Sequence, residues 1–319
     1  MVAGTSLRTA LAAVVAVLLA PSAAAAGPGT VEDPGKKGVS ATDVSGVDEA
    51  LGDAGTSWFY DWSADEQGIA APEGTEFVPT IWGADAVNRQ ELDEAKNSGS
   101  TLLSFNEPDM AEQANMSVEQ ALDLWPQLQE TGMRLGAPAV ATGADQEGGW
   151  LDRFMQGAAE RGYRVDFIPL HWYGADFSPA ATEQLRSYVQ AVQDRYRKPV
   201  WLTEYALIDF SGATPRYPSQ QQQTEFVRNS TAMLEELPFV ERYAWFTLST
   251  EASPTGLYDG VRPNQTGNAY REARNTGSSR PGGYARPPRC RARKRSAARN
   301  MAIRFSGLTK LWPSSGKTR

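Results

Sequence analysis

Apolar residues along this chain fall into short runs, and each run ends on a polar, glycine or proline lip. The clearest is Thr101 to Glu107, where Leu102-Leu103-Ser104-Phe105 leads into Asn106-Glu107-Pro108. A run of this length without alternation is the pattern of a strand buried on both faces of a parallel sheet. Pro108 has no N–H for a ladder and biases the residue before it towards extended backbone. The strand is therefore expected to finish with Glu107 at its carboxyl end. Lys198 to Tyr205 repeats the design, with Trp201-Leu202-Thr203 running into Glu204. Six further segments read as strands: Lys37 to Ser40, Thr56 to Trp62, Glu76 to Gly83, Arg134 to Ala141, Val165 to Gly174 and Tyr243 to Leu248. In the second of these six the period of two sets Trp58, Tyr60 and Trp62 on one face.

Between these runs the apolar period lengthens to that of helices. Ser117-Val118-Glu119-Gln120 has the form of a capping box, and Ala121, Leu122, Leu124 and Leu128 follow at helical spacing. Pro126 within that pattern predicts a kink or a restart. Trp150 to Arg161, Thr182 to Arg197, Gln220 to Leu237 and Asn268 to Arg274 are the other predicted helices, with Gly162, Pro199 and Pro238 as stops for the first three. Strands alternating with helices build βαβ units with right-handed crossovers. Eight strands in one domain predict an α/β fold closed as a (β/α)8 TIM barrel. An open doubly wound sheet is the alternative.

The two ends of the chain follow other rules. Arg8 precedes an apolar run from Ala10 to Ala20, and small residues close on Ala24-Ala25-Ala26. A charged start, a short apolar middle and an A-x-A exit predict a secretory signal peptide over residues 1–26 and a secreted product. The run is shorter than the ~20 residues of a membrane span, and no later segment suits one. No membrane partner is expected after cleavage. All 38 acidic residues lie between Glu32 and Glu272, whereas 12 of the 31 basic residues follow Thr276. The body, residues 27–276, thus sets 18 basic against 38 acidic side chains, which argues against nucleic acid or an anionic surface as partner. A neutral polymer fits, and the body is expected to act as a monomer. The tail, residues 277–319, is basic, lacks apolar periodicity and reads as disordered, with no catalytic part. It is either a polyanion- or wall-binding arm or translation past a shifted reading frame. Cys290, the single cysteine, falls there, so the body has no disulfide or thiolate chemistry.

Two carboxylates at the tips of the fourth and seventh strands, expected to face each other across the barrel mouth, give the candidate chemistry. Glycosidic cleavage needs one carboxyl protonated, to donate to the leaving oxygen, and one ionised, to attack or to activate water. Desolvation beside Phe105 would keep Glu107 neutral, and hydroxyl donors would keep Glu204 ionised. Aromatic side chains gather at the strand ends, and their flat apolar faces suit pyranose rings. Trp82, Trp172 and Tyr173 are expected to face ligand, while Trp58 and Trp245, earlier in their strands, are expected in the core. His171 is the single histidine, which excludes a multi-histidine metal site; no metal and no cofactor is expected. It is expected to bind sugar or to orient Glu204. No G-x-S-x-G elbow, P-loop or dinucleotide fingerprint is present.

Six segments in order carry a resemblance: Lys-Gly-Val-Ser (37–40), Trp-Phe-Tyr-Asp-Trp (58–62), Val-Pro-Thr-Ile-Trp-Gly (78–83), Ser-Phe-Asn-Glu-Pro-Asp (104–109), Leu-His-Trp-Tyr-Gly (170–174) and Trp-Leu-Thr-Glu-Tyr-Ala (201–206). Together they resemble glycoside hydrolase family 128 over about Lys36 to Arg274. The resemblance implies a (β/α)8 barrel that cleaves β-1,3-glucan in endo fashion with retention of configuration. It implies Glu107 as acid/base and Glu204 as nucleophile. In the wider clan, the position of Asn106 contacts the sugar 2-hydroxyl, and that of His171 or Tyr173 supports the nucleophile. Tyr60, Trp82 and Trp172 complete the expected substrate-binding set. The alternatives are a carbohydrate-binding barrel without turnover and a glycanase of another β-linkage. Sequons at Asn115, Asn229 and Asn264 matter only in a eukaryotic secretory route.

Overall fold

The computed structural model describes Met1 and residues 35–275. The signal peptide, the basic tail and Cys290 lie outside the described residues. Eight parallel strands lead the architecture: β1 Lys37–Ser40, β2 Trp58–Tyr60, β3 Glu76–Phe77, β4 Thr101–Leu102, β5 Arg134–Leu135, β6 Ile168–Gly174, β7 Val200–Leu207 and β8 Val240–Trp245. A six-stranded sheet runs β3-β2-β1-β8-β7-β6, and β4 pairs with β5. Single parallel bridges join the two groups, Thr80 to Leu103 and Gly136 to Phe167. Neighbour follows neighbour all the way round, which is the (β/α)8 barrel the sequence predicts. A short antiparallel hairpin, β9 Tyr258–Asp259 and β10 Arg262–Pro263, follows the barrel strands.

Several regular ladders are shorter than the apolar runs that announce them. Past Phe77 and Leu102 the chain leaves the even ladder and touches its neighbours only at isolated points, including Asn106 to Ala139. β7 departs the other way, running on past Glu204 to Leu207, so Glu204 stands inside the strand and pairs with His171 of β6. Its run of buried residues is unbroken because both faces are covered.

The helices are α1 Val47–Asp53, α2 Arg89–Ser98, α3 Val118–Gln129, α4 Trp150–Glu160, α5 Ala181–Tyr196, α6 Gln220–Glu236 and α7 Gln265–Glu272. Ser117 caps α3 by accepting the N–H of Gln120 at 3.1 Å, and the helix continues through Pro126 without restarting. A reciprocal capping box forms at α6, between Ser219 and Gln222. α7 begins earlier than its apolar pattern because Asn264 accepts the N–H of Gly267 and fixes the start there. The pattern does not announce α1 or α2. One is a short helix behind Gly46, and the other buries Ala95 alone in a polar sequence. Lys37, 1 % exposed, donates Nζ hydrogen bonds to the carbonyls of Tyr270 and Ala273, neutralising the carboxyl end of α7 from inside the barrel wall.

Candidate active site

Glu107 and Glu204 come together at the carboxyl-terminal mouth. One ligand atom from each, and one from His171, lie within 4.8 Å of one another. Both carboxylates are buried, at 7 % and 5 % exposure. Glu107 reaches this point through a backbone that departs from expectation. Instead of the extended geometry favoured before proline, it takes the left-handed region with φ 44°. The strain, about 1–2 kcal/mol, is held by bonds on both sides. The Glu107 N–H donates to the Ala139 carbonyl at 2.7 Å, and its carbonyl accepts from Met110 at 3.0 Å. Asn106 beside it is pinned likewise, donating its N–H to the Trp82 carbonyl at 2.9 Å.

Glu204 is surrounded by donors. Tyr60 Oη donates to its Oε1 at 3.2 Å, Trp62 Nε1 to the same oxygen at 2.8 Å, and Tyr173 Oη to Oε2 at 2.5 Å. Three N–H or O–H groups thus converge on one carboxyl and fix its orientation. They also occupy lone pairs a bridging cation would need, so the Glu107–His171–Glu204 cluster fits a metal poorly. Glu107 is treated differently. Burial pushes its pKa up, against the lowering effect of His171, and the nearby Glu204 charge adds to the rise. His171 Nδ1 lies 2.9 Å from Glu107 Oε1 and 3.5 Å from Glu204 Oε2. Burial opposes the imidazolium, but the two carboxylates outweigh it and raise the pKa. The ring bridges the pair, and its nearer partner is Glu107 rather than the expected Glu204.

The remaining expected site residues divide. Tyr60 is 2 % exposed and acts on Glu204 rather than presenting a surface to ligand. Tyr173 is partly exposed, with its hydroxyl on Glu204. Trp172 points to the opposite side of β6, where it stacks on Phe226 of α6 with centroids 5.7 Å apart; its place is in the helix layer, because strand residues alternate in direction. Trp82 is partly exposed next to Asn106, whose amide Nδ2 lies 3.5 Å from Gln113 Oε1. Trp58 and Trp245 are core, both 0 % exposed.

Trp62 is the site residue that sequence reasoning left out. The period of two places it with Tyr60, but it lies beyond β2 with φ 62°, where alternation no longer says what a side chain meets. Its ring also meets Phe246 edge-on at 6.1 Å, and Phe246 meets Tyr173 at 5.5 Å, closing an aromatic collar around the Glu204 carboxylate.

The profile of the glycosyl hydrolase catalytic core family matches residues 38–270. A GH128 subgroup I endo-β-1,3-glucanase from Amycolatopsis mediterranei, crystallised with laminaritriose, is 71 % identical and superposes with a TM-score of 0.74, covering 75 % of this chain and 99 % of that one. Its structures include variants at two glutamates whose separation along the chain equals that of Glu107 and Glu204. A subgroup II endo-β-1,3-glucanase from Sorangium cellulosum is 29 % identical, with a TM-score of 0.64 over 75 % of this chain and 98 % of that one. Alkali-sensitive linkage protein 1 of Schizosaccharomyces pombe is 28 % identical over 227 residues, 68 % of this chain, which spans only 39 % of that protein's length. The match across most of the chain, together with the barrel and its paired glutamates, places this protein in the glycosyl hydrolase catalytic core family as a member of glycoside hydrolase family 128.

Proposed function

We propose that the protein is an endo-acting β-1,3-glucan hydrolase that retains anomeric configuration. One observation carries the reading: two buried carboxyls whose nearest ligand atoms lie within 4.8 Å, one favoured neutral and the other gripped by three donors. Retaining glycosidases set their carboxyl groups about 5–5.5 Å apart, and inverting ones leave more room for water. The β-1,3 linkage and endo action are supported by the similarity to the Amycolatopsis enzyme bound to laminaritriose.

Glu107 donates its proton to the leaving glucosyl oxygen as Glu204 Oε attacks the anomeric carbon. The glycosyl–oxygen bond breaks, and an ester to Glu204 forms. Glu107, now ionised, takes a proton from water, whose oxygen displaces Glu204 and restores both groups. The imidazolium of His171 donates Nδ1–H to Glu107 Oε1, leaving Oε2 free to carry the catalytic proton. Charge that leaves Glu204 on attack is matched by loosening of its three donor bonds, which hold it in line beforehand.

The test is azide rescue with an activated aryl β-glucoside of laminaribiose. Glu204→Gln plus azide is expected to give the α-glycosyl azide, and Glu107→Gln plus azide the β-anomer. Formation of neither would refute this division of roles. A panel of laminarin, curdlan, lichenan and cellulose tests the linkage, with turnover expected on the first two. Secretion as a monomer is part of the same proposal. It rests on the leader sequence and the acidic body, and is checked by finding Gly27 as the amino terminus of a monomeric exported product.

A further inference from the structure

The connection from β7 to α6 leaves the strand that carries Glu204 and rejoins the helix layer at Ser219, the N-cap of α6. It is firmly built. Asp209 and Arg216 exchange both backbone hydrogen bonds, each 2.9 Å. The Arg216 guanidinium also binds the Asp209 carboxylate, whose other oxygen accepts the N–H of Ser211 at 2.8 Å. Asp209 is 1 % exposed, so the base of this hairpin is anchored in the interior.

Antiparallel pairing of Asp209 with Arg216 sets Ile208, Phe210, Pro215 and Tyr217 on one face of the hairpin. Phe210 meets Tyr173 edge-on with centroids 5.4 Å apart, and the Tyr173 hydroxyl bonds Glu204. The face that carries Tyr217 is therefore turned towards the catalytic carboxylates. Tyr217 is 39 % exposed, the exposed aromatic ring among the described residues. Its backbone is confined by Pro218 after it and by the paired Arg216 before it.

The geometry points to Tyr217 as a substrate-contact residue, a platform at the cleft rim on which a glucosyl ring remote from the scissile bond stacks. The assignment rests on the glucan-hydrolase reading above. An aromatic face kept open on a rigid base loses little freedom when it binds, and it matches the apolar face of a pyranose. Because the contact is remote, it contributes to binding of long substrates and has no counterpart in short ones.

The experiment compares wild type, Tyr217→Ala and Tyr217→Phe on oligosaccharides from laminaritriose to laminarihexaose. Hydrolysis gives KM and kcat, and calorimetric titration of the same ligands in a Glu204→Gln background gives Kd without turnover. For Tyr217→Ala, KM and Kd on laminarihexaose are expected to rise about tenfold. The loss should fall on KM rather than kcat and shrink as the chain shortens, while Tyr217→Phe restores wild-type values. An equal loss at every length, a loss in kcat alone, or no loss at all overturns the assignment. Failure of wild type to cleave any of these sugars would overturn the glucanase reading instead, and the titrations would still decide the role of Tyr217.

Discussion

At the amino-terminal end of the barrel, Trp201 stacks on Phe167 with centroids 4.3 Å apart and lies under the Arg242 guanidinium at 4.4 Å. Arg134 covers Phe167 at 5.0 Å and pairs with Glu241 at 2.6 Å, and Glu241 also accepts the Trp201 indole N–H at 2.9 Å. Every charge there meets an opposite charge, a ring or both. At the carboxyl-terminal end, aromatic side chains again surround charged ones, but the charges are two carboxylates facing each other across a histidine. One end uses aromatic and ionic contacts to close the barrel floor. The other uses the same residue types to hold two acids close together, with burial favouring the neutral form of Glu107. The upper arrangement buries two acids side by side against the cost of desolvation, a pattern that belongs to functional sites.

That contrast predicts which substitutions affect activity and which affect folding. The largest effect is expected at the mouth. Glu204→Gln should lower kcat by about 10⁴-fold or more and Glu107→Gln by about 10²–10⁴-fold, with both variants still folding cooperatively. Glucan hydrolysis and calorimetry on both variants check this pair of outcomes. At the floor the expectation reverses. Trp201→Ala should cost about 3–5 kcal/mol of stability, read as the shift in urea midpoint, while kcat at a temperature where the variant is folded stays near wild type. If Trp201→Ala instead destroyed turnover without unfolding, the two ends would not be separable.

A smaller effect belongs to Trp62→Phe, which keeps the ring and deletes one donor to Glu204. A hydrogen bond to a charged group is worth about 1.5–3 kcal/mol of stability, so stability read from the urea midpoint should fall by that much, while kcat falls about tenfold because Glu204 is held in line less well. The smallest expected effect on turnover lies just below the mouth. Asp61 is 7 % exposed, and its Oδ1 accepts the Ser63 N–H at 3.0 Å while Oδ2 has no hydrogen-bond partner. Burial pushes its pKa from 3.8 up to about 8, against the lowering by Ser63. The folded protein therefore holds a proton that the unfolded chain releases between those values, and stability falls as pH rises through that window. Asp61→Asn keeps the Ser63 bond and removes the titration. Its thermal midpoint should exceed wild type by several degrees at pH 8 and match it near pH 4, in paired melting curves.

Much of this was legible in the chain. The paired runs leading to Glu107 and Glu204 announce the barrel strands, and Trp58 and Trp245 lie in the core as expected, although Trp245 closes β8 instead of standing early in it. Helices with an apolar face were found to within a few residues. α1 and α2 were not, because a short or polar helix is stabilised by what it packs on, and periodicity is blind to that. Trp172 misleads for a related reason: a tryptophan beside a strand end looks like a sugar platform, but its direction depends on register. Alternation does set Trp62 beside Tyr60, and both meet the same Glu204 oxygen, but nothing in the spacing shows that Glu204 lies opposite that face. The left-handed backbone at Glu107 was hidden by Pro108, whose preference is overridden by the Ala139 and Met110 bonds.

The sequence by itself determined the number and order of the strands and singled out the two acids proposed for hydrolytic work. Those are local properties, written in the spacing of apolar side chains and in the chemistry of single residues. Only the tertiary structure decided that His171 sits closer to Glu107 than to Glu204, that Trp62 completes the grip on Glu204, and that Trp172 belongs to the helix layer. Each of these depends on where one strand's register places a side chain against another strand. That relation is fixed by closure of the barrel, and no stretch of the chain contains it.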